Sequence, residues 1–151
     1  MYQILLYAHS YSRWFVLATL IFAIYQAANG IISKRPFEKR DKMAALLGLI
    51  FTHSQFVVGL ILYFQSAVVQ LFLNDVKAGM KISALRYWGM EHIATMTIAV
   101  ILITIGYSIS KRRAENNKKF QYILVFYGIG LLLILSSIPW AGANARPLFR
   151  M

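Results

Sequence analysis

The chain has 151 residues, a formal net charge of +11, 59% apolar side chains and only 14% charged ones. A soluble domain carries about 25% charged residues, so this balance excludes an ordinary water-soluble fold and fits a single membrane domain over residues 1–151. Cysteine is absent, which excludes disulfides, thiolate-bound zinc, iron–sulfur clusters and covalently attached haem.

The N-terminus reads Met1-Tyr2-Gln3-Ile4-Leu5-Leu6, without a basic n-region or a small-residue cleavage site. The first apolar run is therefore expected to stay in the membrane and act as its own targeting signal. It covers residues 3–28 and is expected to stop at the helix-breaking pair Asn29-Gly30. A basic connector follows, with Lys34, Arg35, Lys39, Arg40 and Lys42 against Glu38 and Asp41. The second run covers residues 43–66. Residues 67–82 carry only Lys77, Lys81 and Asp75, and the partly amphipathic pattern Val68, Val69, Leu71, Phe72, Val76 predicts a short helix on the outer surface. The third run covers residues 84–109, followed by a second basic stretch with Lys111, Arg112, Arg113, Lys118 and Lys119 against Glu115. The fourth covers residues 120–138 and stops at Pro139-Trp140. Each run is close to the ~20 residues that cross ~30 Å of hydrocarbon. The expected fold is an all-α, four-helix transmembrane bundle.

The basic residues cluster in two short connectors rather than along one helix face. That is the pattern of membrane loops, not of a nucleic-acid-binding surface, and no nucleic-acid partner is expected. The positive-inside rule puts both connectors in the cytoplasm and both termini on the outer side of the membrane. Trp14, Trp88 and Trp140 fall toward the outer ends, while Arg146 and Arg150 count against this orientation.

Polar groups inside a spanning helix are costly and usually face the bundle interior. Here they are His9, Arg13, His53, Gln55, Glu91 and His92, with Arg86 near the outer end of the third helix. All three histidines of the protein lie in spanning runs. Neutral imidazole is a common metal ligand, and a histidine pair on facing helices can hold a b-type haem. At ~1.5 Å per residue, His9 lies roughly 9–10 Å and His92 roughly 12 Å from the outer ends, and His53 roughly 15 Å from the inner end. His9 with His92 matches best in depth; His53 with His92 stays feasible if the second helix tilts. Gly89 and Ala99 open a slot on the His92 face, for a porphyrin ring or for close helix contact. Arg13 shares a face with His9; it is expected to pair with Glu91 or a haem propionate, with Arg86 on the second propionate, or else to snorkel outward to the headgroups. Thr52 and Gln55 are expected to hydrogen-bond across helices without chemistry of their own.

No phosphate-binding glycine loop and no H-E-x-x-H motif is present. The helices are not broken in mid-span as in ion-coupled transporters. The strings Leu6-Tyr7-Ala8-His9-Ser10 with Arg13-Trp14, His53-Ser54-Gln55 with Gly59-Leu60 and Leu62-Tyr63-Phe64, Glu91-His92 with Met96, and Ile138-Pro139-Trp140 with Arg146-Pro147-Leu148-Phe149 span nearly the whole chain. They resemble a family of small bacterial four-helix membrane proteins labelled cytochrome b-like. The resemblance implies haem b in the cytoplasmic membrane, with His9, His53 and His92 as the ligand pool.

Three functions follow as alternatives. The first is a b-type cytochrome subunit carrying electrons to or from quinol. The second is a haem-free subunit or assembly factor that docks other membrane proteins. The third is a copper- or other metal-handling protein using the three histidines with Met90 and Met96 as soft ligands.

Overall fold

Four helices are long and apolar enough to cross a membrane in the computed structural model, which describes residues 1–140. Helix α1 is Tyr2–Ile32 and α2 is Lys39–Gln65. Three short helices follow: α3 (Ala67–Asn74), α4 (Val76–Gly79) and α5 (Ser83–Arg86). Helix α5 leads through a π-helical turn, Tyr87–Glu91, into α6 (His92–Arg112). Helix α7 is Asn116–Ser136. There is no strand among the described residues. This is the architecture of a multi-pass membrane protein. Arg146, Arg150 and the 146–149 string lie outside the described residues.

Helix α1 packs on α2 and α7, and α6 packs on α7 and α2. Going round the bundle, the order is α1, α2, α6, α7, so α1 and α6 face each other across a diagonal. One end carries the basic connectors, and the other carries the N-terminus and the α3–α5 segment. The core lies toward the basic end, around Leu20, Ala23, Ala27, Ala45, Ile103, Phe120 and Tyr127. Small residues let the backbones close up: Gly48 lies against Leu20 and Tyr127, and Gly130 against Ile103. Tyr127, fully buried, donates its hydroxyl to the Ala45 carbonyl at 2.7 Å, tying the other diagonal. Large apolar side chains such as Phe15, Tyr25, Phe64, Ile98 and Leu132 point outward, as lipid-facing positions require.

The first helix does not stop at Asn29-Gly30. It runs on to Ile32, and the turn falls at Lys34, whose φ is +50°. Gly30 is buried, and a Cβ there would collide with the Phe120 ring. Its glycine answers to packing against α7, not to termination. Just beyond, Arg35 and Asp41 form a bidentate pair at 2.7 Å in both bonds. Asp41 also accepts the Glu38 N–H at 2.9 Å, which caps α2 and starts it four residues earlier than the apolar run does. The guanidinium lies 5.1 Å from the Phe120 ring centroid, and hydrogen bonding to Asp41 holds its pKa above the ordinary value.

The expected surface helix is present as α3, with Val69 and Phe72 buried and Leu71 and Leu73 exposed. Phe72 is wedged between Gly79 and Gly89; a Cβ at either would overlap its ring. The slot expected at Gly89 is thus filled by the protein's own phenylalanine. Ala99 is fully buried in the core.

Candidate functional site

A cavity of about 150 Å³ opens between all four long helices in the half of the bundle remote from the basic connectors. Its lining reaches from Tyr2 to Val16 along α1, roughly 21 Å at ~1.5 Å per residue, so it is long and narrow. Its walls are mostly apolar, and His9, Arg13, Gln55, Tyr63 and His92 are its main polar groups.

His9 enters from α1. Its Nδ1 is buried and has no hydrogen-bond partner among the described residues. The ring lies against α2 at Gly59, where a Cβ would stand 2.9 Å from the imidazole Cε1. Gln55 donates to the His9 carbonyl at 2.7 Å, and its side-chain oxygen meets the Ser12 hydroxyl. The expected cross-helix role of Gln55 is therefore observed, and it fixes the backbone that carries His9. Thr52 instead donates to Gly48 of its own helix at 2.7 Å, because a hydroxyl one turn along reaches that carbonyl first. Arg13 reaches the same cavity from the next turn of α1, with its guanidinium 5.7 Å from the Trp14 ring centroid. Trp14 packs against the core instead of standing at the end of the bundle.

His92 enters from α6, across the diagonal. Its Nδ1 lies 3.1 Å from the Ser137 carbonyl. A carbonyl can only accept, so Nδ1 carries the proton and Nε2 is the basic nitrogen of the neutral ring. The ring also packs on Trp88 at 5.6 Å and Tyr87 at 5.9 Å between centroids. Tyr63 of α2 donates to the Gly89 carbonyl at 2.7 Å, holding the π-helical turn against the bundle.

His53 is not part of this group. Its Nδ1 is 2.9 Å from the Leu49 carbonyl of its own helix and its Nε2 is 3.3 Å from the Thr104 hydroxyl of α6. The three histidines therefore do not converge, and among the described residues no group of three or more His, Cys, Asp or Glu could hold a metal ion. Glu91, expected as a partner for Arg13, is held by Arg86 at 2.6 Å. Arg86 also donates to the Met80 carbonyl at 3.0 Å and does not line the cavity. Met96 lines it, and Met90 is exposed.

Sequence reasoning gave no place in the site to Tyr63, Tyr87, Trp88 or Ser137. One signal was available for Ser137: α7 ends just before Pro139, and the last carbonyls of a helix lack intrahelical partners.

Two imidazoles on one cavity, brought there by α1 and α6, are a donor set that would suit a haem. The cavity's width is the poorer match, since clefts for sizeable ligands measure about 300–1,000 Å³; Phe56, Met96 and Trp88 are the large lining side chains that would have to turn aside. No protein-family model, no curated protein and no solved structure matches this chain.

Proposed function

We propose that this protein is a b-type cytochrome subunit of the bacterial cytoplasmic membrane, in which His9 and His92 would hold one haem. The observation that carries the reading is that these two rings, from diagonally opposed helices, line one cavity, with His92 oriented by the Ser137 carbonyl. A backbone acceptor on the second ring nitrogen is the usual way a ligating histidine is held in one tautomer. When bound, haem supplies one-electron redox chemistry.

The chain's own residues do the rest. Gln55 and Gly59 set the height and tilt of His9. Arg13 contributes a cation beside the cavity, suited to an anionic substituent such as a propionate. Trp88, Leu6 and Tyr2 add apolar wall to the same cavity. His53 is left with a structural role between α2 and α6, and Arg86 with its ion pair to Glu91. In the same reading the two basic connectors face the cytoplasm and the histidine half lies toward the periplasm, where electrons pass to or from quinol or a neighbouring membrane subunit.

The narrowness of the cavity favours a second reading, a haem-free subunit whose His/Arg/Gln groups form a structural polar network. Purification in mild detergent followed by absorption spectroscopy separates the two. A Soret band that shifts on reduction supports the cytochrome; a colourless, well-folded preparation from haem-replete cells overturns it in favour of the second reading.

A further inference from the structure

The Ser137 carbonyl takes two donors. The Tyr87 hydroxyl bonds to it at 2.6 Å and His92 Nδ1 at 3.1 Å, and the phenol bond is the shorter. Ser137 follows the last residue of α7, so its oxygen belongs to the partially negative end of a long helix. In a regular α-helix, side chains five residues apart point roughly 140° away from each other. The π-helical turn removes that separation: the His92 N–H bonds back to the Tyr87 carbonyl, five residues behind, and both side chains reach one acceptor.

Each donor draws electron density from the shared oxygen, so the phenol weakens the bond left to the imidazole. A weaker bond at Nδ1–H leaves Nε2 less electron-rich, and a less basic axial ligand stabilises ferric iron less. We propose that Tyr87 is a positioning residue that lowers the electron-donating strength of His92 through the Ser137 carbonyl, and so raises the reduction potential of the site. This inference rests on the cytochrome reading.

The test is a redox titration of the detergent-purified, haem-loaded protein beside Tyr87→Phe and Tyr87→3-fluorotyrosine. Phenylalanine removes the competing donor, and the midpoint potential is expected to fall with the low-spin bands retained. The fluorinated phenol is a stronger donor, and its midpoint is expected to rise. A purely structural role for Tyr87 would not produce shifts of opposite sign. Unmoved midpoints, or a higher midpoint in Tyr87→Phe, overturn the inference. If Tyr87→Phe does not retain haem, the sign of the fluorotyrosine shift decides alone. A wild-type protein without haem removes the reading of the site and this inference with it; a haem-bearing wild type whose variants do not shift removes the inference only.

Discussion

The imidazole of His9 rests on Gly59, with less than the space of a methyl group between the ring and the α2 backbone: a Cβ at Gly59 would lie 2.9 Å from Cε1. Glycine at that position is therefore a requirement of the histidine opposite it. Gly59→Val is expected to push the ring out of place and to abolish any low-spin haem spectrum while leaving helix content intact. Overpacking of this kind costs about 1–3 kcal/mol. Circular dichroism and visible absorption on the same sample check both halves of the expectation.

The three histidines are expected to separate cleanly. His9→Ala and His92→Ala should each lose the low-spin spectrum, while His53→Ala should keep it. The loss at position 53 is a cross-helix contact with Thr104, for which a cost of about 0.6 kcal/mol, up to about 1.7, is usual inside a membrane. Spectra of the three variants with thermal unfolding in detergent test this; a His53→Ala protein without low-spin haem would reassign the ligand pair.

Asp41 is buried and its partner Arg35 largely so, with side chains 2% and 14% exposed. Asp41→Ala leaves an uncompensated guanidinium against Phe120 and removes the α2 cap. A loss of about 3–5 kcal/mol is expected. The double variant Arg35→Met/Asp41→Ala should recover much of it, because the buried charge is gone. Denaturant unfolding of the cycle measures the difference, and an unrecovered double variant would mean that the cap, not the charge, dominates.

Gly30 separates two explanations of one residue. If it were a helix stop, alanine would be neutral or stabilising there. Because a Cβ would overlap Phe120, Gly30→Ala is expected to destabilise by about 1–3 kcal/mol, and pairing it with Phe120→Leu should relieve the clash. The same unfolding assay reads both.

The four spans and the amphipathic surface helix could be read from the sequence because each is a long or periodic apolar pattern. The helix limits could not, because Asp41 caps α2 through a side chain and Gly30 packs inside α1, neither of which alters hydropathy. Depth counting brought His9 and His92 to one level, and the structure has them on one cavity. It could not tell that His53 turns toward Thr104, since that depends on helix rotation. The partner of Glu91 was missed for a related reason: Arg86 lies five residues earlier, and it lies within reach through the π-helical turn.

That turn has one more consequence. It holds one residue more than the α-helical repeat, so the segments before and after it are out of phase by about 100°. Deleting any single residue from 87–91 would shorten the span by only about 1.5 Å. Hydropathy and length would barely register the change, yet the side chains before it would rotate by about 100° relative to α6, and the shared contacts of Tyr87 and His92 would be lost. The aim of this end of the molecule is thus encoded as a count, and a frame-preserving loss of one codon would be far more damaging there than most substitutions.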